Sequence, residues 1–247
     1  MKILLCNDDG VMAVGLSVMH RHLHESRNCV VYAPDRDCTG VSSSLTLDRP
    51  LRVSQHSNGF NSINGTPTDC VHLAVNTLME SKPDIVVSGI NHGANLGDDV
   101  LYSGTVAAAL EGRFLSRPAI AVSLCGKSSI GFETAGRVTR ELLEKMDSLS
   151  LPAGTVLNVN VPDCAYGSLR GFAVTRLGHR QRPEPPMKVI DPRGKPVYWI
   201  APVGKEQDAG EGTDFHAIQA GYVSVTPLQY DQTHHGTLSQ IQDWLGG

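Results

Sequence analysis

A chain of 247 residues with 40% hydrophobic and 19% charged side chains has material for one large α/β domain, or two small ones, around a sizeable core. Its 21 Lys and Arg stand against 25 Asp and Glu, a formal charge of −4, and no Lys/Arg-rich run breaks the pattern. That balance argues against stable binding to a nucleic acid polymer. A small anionic substrate stays within reach of a bound cation or of local backbone dipoles.

In chain order, Ile3-Leu4-Leu5-Cys6 reads as a short buried strand ending in the polar turn Asn7-Asp8-Asp9-Gly10. Leu16, Met19 and Leu23 recur at helical spacing, which predicts a first helix up to about Arg27. Residues 29–33 form a second apolar run, stopped by Pro34-Asp35. Thr66-Pro67-Thr68-Asp69 supplies a hydroxyl cap, a proline at the first helical position and an acid at the third, opening a helix over 70–79. Ile85-Val86-Val87 is a third strand, followed by a glycine-rich stretch, 88–99, expected to be a loop without structure of its own. Ser103-Gly104-Thr105 starts a tightly packed Ala-rich helix over 106–115, and residues 119–124 and 133–146 read as a further strand and helix. Short apolar runs alternating with helices mark a parallel sheet covered on both faces.

The second half changes character. Residues 156–161, 172–174 and 222–226 look like strands, and 238–245 like a terminal helix. Between them Pro183, Pro185, Pro186, Pro192, Pro196 and Pro202 preclude a core helix and predict a protruding arm over 180–204. With no internal repeat or linker, the expected architecture is a Rossmann-like α/β three-layer sandwich: a single domain, 1–247, with a mostly parallel sheet and a C-terminal Pro-rich extended arm. Six scattered cysteines form no CxxC pair, so they signal neither zinc nor a redox dithiol. No stretch approaches the roughly 20 apolar residues of a membrane span, and the N-terminus lacks a signal-peptide pattern. A cytoplasmic location is expected.

The chemistry collects at strand ends. Asp8 and Asp9 place adjacent carboxylates where open α/β sheets bind ligands. Their mutual repulsion is relieved by a hard cation taking both as oxygen ligands, although Asn-Asp-Asp-Gly is also good turn chemistry. The segment Ser88-Gly89-Ile90-Asn91-His92-Gly93 and its continuation through Asn95 to Asp99 leaves the same edge. Its glycines permit close backbone approach and its amides offer donors and acceptors, but it matches neither GxGxxG nor a P-loop. Ser103-Gly104-Thr105 puts hydroxyls and free N–H groups at a helix start, a phosphate cradle in one reading and a simple cap in the other. Residues 35–40 and Ser42, Ser43 and Ser44 add hydroxyls after the second strand. Carboxylates, an amide, hydroxyls and a helix N-terminus at one edge suit a hard metal and a phosphate together.

These motifs, in this order, resemble the SurE family of stationary-phase survival proteins, which are metal-dependent nucleotidases. The resemblance is carried by the segments 3–10, 33–36, 65–70, 87–91, 95–99, 102–106, 158–162 and 221–224. It implies one divalent ion per subunit, Mg²⁺ or Mn²⁺, bound by Asp8, Asp9, the residue at 39 and Asn91. It also implies phosphate contacts from Asn95, Ser103, Gly104 and Thr105, and catalytic roles for Asp231 and His235 in the segment Tyr230-Asp231-Gln232-Thr233-His234-His235. The family usually has serine where this chain has Thr39; threonine keeps the oxygen but adds a stiffening methyl. A homodimer or homotetramer built through the arm and the C-terminal segment 228–247 is implied as well.

The expected function is hydrolysis of nucleoside 5′-monophosphates, with 3′-monophosphates left open. Asp8 is expected to position the attacking water besides binding metal, and His235 to protonate the departing oxygen. Two rivals share parts of this pattern. A phosphoryl-accepting receiver also pairs acids after its first strand, but needs an acceptor Asp at the end of a middle strand, where this chain has Ser88-Gly89. A nucleotide-binding stress or signalling protein without turnover would use the same cradle.

Overall fold

The computed structural model describes residues 1–200 and 203–246. The first two thirds of the chain are built of β1 (Lys2–Cys6), α1 (Val14–Leu23), β2 (Asn28–Pro34), the short β3 (Val53–Gln55) and β4 (Asn61–Ile63), α2 (Pro67–Leu73), β5 (Ile85–His92), α3 (Gly104–Glu111), β6 (Ala119–Cys125), α4 (Ser129–Lys145) and β7 (Val156–Pro162). The remainder adds β8 (Phe172–Val174), β9 (His179–Arg180), β10 (Met187–Ile190), β11 (Pro196–Trp199), β12 (Glu206–Asp208), α5 (Asp214–Gln219), β13 (Val223–Leu228) and α6 (Leu238–Trp244).

Nine strands make one sheet in the order β3-β4-β2-β1-β5-β6-β7-β13-β8. From β4 through β7 every pairing is parallel; β3 and β13 run antiparallel to their neighbours β4 and β7. Ile3, Leu4, Leu5 and Cys6 are all fully buried because both faces of β1 are covered. On one face α1 and α4 lay Leu16, Met19, Leu23, Phe132 and Val138 against the sheet; each such side chain contributes roughly 1.5–3 kcal/mol by leaving water. On the other, Cys70 and Val71 of α2 pack with Val106, Ala108 and Ala109 of α3, whose small residues let that helix lie close. The fold is the expected α/β sandwich, and the C-terminal ends of β1, β2 and β5 sit side by side.

Three expectations change in detail. The segment after Val87 is not a free loop, because β5 continues to His92, pairing Asn91 with Ser123 and His92 with Leu124. A register shift between Ser88 and Asn91, with Gly89 at φ +131°, hides that continuation from the sequence pattern. A 3₁₀ turn then covers Gly97–Leu101. The second helix changes to a π-turn at Ala74–Leu78, and β3, β4 and α5 carried no apolar period long enough to be read.

The Pro-rich arm is a two-stranded hairpin, β10 against β11, rooted on the pair β9 and β12. Its turn is held by Asp191, whose N–H donates to Lys195 O at 2.8 Å and whose carboxylate accepts from Arg193 N and Lys195 N. Met187, Ile190, Tyr198 and Trp199 are exposed on it, as are Leu238, Ile241 and Trp244 on α6. Of the expected arm, residues 201 and 202 (Pro202 included), and of the C-terminal segment residue 247, lie outside the described residues.

Candidate metal and phosphate site

Beyond β1 the chain reverses around Asn7, whose fully buried amide donates to Gly10 O at 3.0 Å. Gly10 stands at φ +99°, and a Cβ there would press on the Arg36 carbonyl carbon at 3.0 Å, so the turn admits only glycine. The same turn is tied to the end of β2: Val11 N donates to Pro34 O at 2.8 Å, and Cys38 N to Asp8 O at 2.8 Å. Cys38 is thereby held against the Asp8 backbone, with Thr39 the next residue in the chain.

Asp8 is buried, and one of its oxygens accepts the Thr105 hydroxyl. Burial pushes its carboxyl up to about 6; the Thr105 hydrogen bond opposes that rise and the neighbouring Asp9 charge adds to it. Asp9 is raised as well, chiefly by burial and further by Asp37, against a hydrogen bond from His92 N at 3.2 Å. Two carboxylates costly to ionise alone become favourable once a cation lies between them.

The donors fit such a cation. Among the described residues no group of three or more His, Cys, Asp or Glu is placed to hold a metal, so the shell beyond Asp8 and Asp9 must come from neutral oxygens and water. Asn91 donates its amide N–H to Gly93 O at 2.9 Å, which leaves its carbonyl oxygen available. The Thr39 hydroxyl donates to Asp37 at 2.6 Å, so its lone pairs stay free. An all-oxygen shell completed by water suits a hard ion that keeps part of its hydration, as Mg²⁺ and Mn²⁺ do. If the hydroxyl is the donor, Thr39→Ser keeps metal affinity, whereas Thr39→Val weakens it about tenfold or more. A metal titration of both variants checks this; unchanged affinity in the valine variant would transfer the role to the backbone carbonyl.

Opposite the acids, Ser103 caps α3, its oxygen accepting Val106 N–H at 3.1 Å while its own proton stays free. The first amides of the helix, at Gly104 and Thr105, have no intrahelical acceptor. Thr105 is fully buried with its hydroxyl committed to Asp8, so of the three residues it is the one that holds the acid in place. Asn95 sits one strand further along. Its N–H donates to the Asn160 side chain at 2.9 Å, its carbonyl accepts from Asn158 and Asn160, and one amide proton goes to Ser123 at 2.8 Å.

Further side chains without an assigned role in the sequence reading hold this loop. Asp214, fully buried at the start of α5, accepts N–H from Gly97 at 2.7 Å, Gly178 at 2.9 Å and Phe215 at 3.0 Å. Asp99 forms a two-pronged ion pair with Arg180, 2.7 Å at its shortest, and Asp98 accepts Arg180 N at 2.6 Å. Thr213, which caps α5 by accepting from His216 N, was the one available signal for that helix.

Asp231 and His235 meet each other, Nε2 to Oδ2 at 2.6 Å, in an irregular stretch leading into a 3₁₀ turn. Hydrogen bonds from the Thr233 hydroxyl and from His235 hold the Asp231 carboxyl well below the usual range. Both residues are largely exposed, and among the described residues no hydrogen bond or ion pair joins them to the Asp8–Thr105 cluster.

The family model described as "Survival protein SurE" matches residues 3–184. Over 247 residues the chain is 57% identical to the 5′-nucleotidase SurE of Pseudomonas fluorescens strain SBW25, covering 100% of this chain and 99% of that one. It is 53% identical over 245 residues to the 5′-nucleotidase SurE of Pseudoalteromonas atlantica, with 99% of each covered. The crystal structure of the SurE protein from Aquifex aeolicus is similar throughout, with a TM-score of 0.87, 44% identity and 100% of both chains covered.

Proposed function

The chain belongs to the SurE family, and on that footing we propose that it is a metal-dependent 5′-nucleotidase, releasing phosphate and a nucleoside from nucleoside 5′-monophosphates. The observation that carries this reading is the direct hydrogen bonding of the buried Asp8 to Thr105 at the N-terminus of α3, with the half-buried Asp9 beside it. Mg²⁺ or Mn²⁺, one per subunit, is the ion the donor set favours, with Asp8, Asp9, Thr39 and Asn91 as its ligands. When bound, the ion supplies neutralisation of the phosphoryl charge and lowers the pKa of a bound water. The N–H of Gly104, the Ser103 proton and the second amide proton of Asn95 hold phosphoryl oxygens in place, while Thr105, hydrogen-bonded to Asp8 through its hydroxyl and its backbone N–H, keeps the acid beside them. The Asp8 oxygen not engaged by Thr105 orients the attacking water along the reaction axis. His235, kept in orientation by Asp231, gives a proton to the departing nucleoside oxygen.

The exposed Trp199 and Trp244, at 68% and 79%, support association into a homodimer or homotetramer through the arm and the C-terminal segment. A single domain over 1–247 fits the continuous sheet. No described helix is long and apolar enough to cross a membrane. All six cysteines are free thiols, which suits the reducing cytoplasm.

Release of phosphate from a panel of nucleoside 5′- and 3′-monophosphates, with and without added Mg²⁺ or Mn²⁺, tests the reading. Tight nucleotide binding without any release would establish the non-catalytic alternative. His235→Ala should lower kcat on nucleotides at least about tenfold more than on p-nitrophenyl phosphate, whose leaving group needs little protonation. Equal losses on both substrates would remove the acid role from His235.

A further inference from the structure

On the face of the sheet covered by α1 and α4, an open cavity of about 540 Å³ adjoins Asp9. A volume of this order is that of small-molecule sites. One wall is a pair of rings: the His92 imidazole lies over Phe132 with centroids 6.3 Å and planes 28° apart. Phe132 is buried and His92 exposed, so the lower ring is fixed and the upper one is turned to the cavity and solvent. Ala13 and Val14, the latter 63% exposed, supply apolar surface across from it.

The platform is anchored to the reaction centre. The His92 N–H is bonded to Asp9, and Gly15 leaves no room for a Cβ against the Ile90 carbonyl and the Phe132 ring, which brings the start of α1 hard against the end of β5. Asp37 and Lys127 stand at the rim, and no hydrogen bond or ion pair occupies the Lys127 ammonium among the described residues. A second cavity of about 510 Å³, lined by Leu110 and Tyr230 among others, touches none of the four metal-ligand candidates.

We propose that the cavity beside Asp9 is the nucleobase subsite, built for a purine with acceptors on its edge. This rests on the nucleotidase reading. A phosphate held at α3 lies on one side of the two acids, and the ribose carries the base past Asp9 to the other. The base stacks on His92, backed by Phe132; the ribose hydroxyls donate to Asp37; and Lys127 donates to an acceptor edge such as N7 and O6 of guanine.

The test compares wild type, His92→Ala and His92→Phe on guanosine 5′-monophosphate, ribose 5-phosphate and p-nitrophenyl phosphate. His92→Ala should raise KM about tenfold for the nucleotide and leave the other two substrates unchanged; His92→Phe should restore the nucleotide KM. Equal changes for nucleotide and ribose 5-phosphate, or none for either, would overturn the subsite. Absence of turnover on every ester, with any divalent ion, sinks the nucleotidase reading instead. Guanosine, which carries no phosphate, then reads the subsite alone. It should move the His92 ring proton resonances upfield, and unmoved resonances overturn the proposal whatever the activity.

Discussion

Asp8→Asn is expected to lower phosphate release at least about 100-fold, the scale on which single electrostatic groups act at such centres, while the metal-free protein becomes no less stable. The two effects share one cause. Asp8 has a folded-state pKa of about 6, against roughly 3.9 in an unfolded chain. A raised carboxyl costs stability as pH climbs through that interval: the unfolded chain releases its proton near 4 and the folded one only near 6. Without metal, wild type should therefore lose on the order of 3 kcal/mol between about pH 4 and pH 6 and level off above. Asparagine keeps the acceptor for Thr105 and carries no charge, so this loss should shrink. Adding Mg²⁺ or Mn²⁺ at pH 7.5 should raise the melting temperature of wild type well above that of the variant. A variant that is less stable than wild type without metal, or that gains as much from metal, would count against Asp8 as a ligand.

Gly104→Ala should be nearly as damaging through a single methyl group. A Cβ at 104 would lie 2.7 Å from the Asp8 Cβ and 2.9 Å from its Oδ2. Neither partner yields easily, since Asp8 is fixed by Thr105 on one side and by Cys38 N on the other. The acid must then shift by several tenths of an ångström, and misplacement approaching 1 Å costs about 100-fold in rate. The expected result is a fall in kcat of that order with metal affinity reduced as well. Ser103→Ala, which removes a cap and one phosphate donor, should mainly raise KM. Wild-type kcat in the Gly104→Ala protein would mean that the approach of α3 to Asp8 does not set the reaction geometry.

Much of this was legible because it is local. Strands β1, β2 and β5, the Thr66 and Ser103 caps and the proline-rich arm are announced by runs of a few residues. What stayed hidden depends on partners far apart in sequence. Nothing in Thr105 reveals that its hydroxyl is committed to a residue 97 positions earlier, and nothing in Asp214 reveals the Gly97 and Gly178 amides it satisfies. His92 and Phe132 lie on different elements, so their stacking is a product of the sheet order. Asp231 and His235 pair through an irregular stretch that runs into a 3₁₀ turn, a backbone that no periodic pattern announces.

The ion pair between Arg180 and Asp99, with Asp98 bonded to the Arg180 amide, makes the root of the arm the counter-charge for the mouth of the site. Remove that root and two carboxylates remain beside a cradle meant for a dianion, repelling the ligand on approach. The boundary at which the appendage can be dispensed with is therefore electrostatic and falls after Arg180. An internal deletion that begins after Arg180 and ends before β12 discards only the hairpin, whereas one that also takes Arg180 leaves Asp99 without its ion-pair partner.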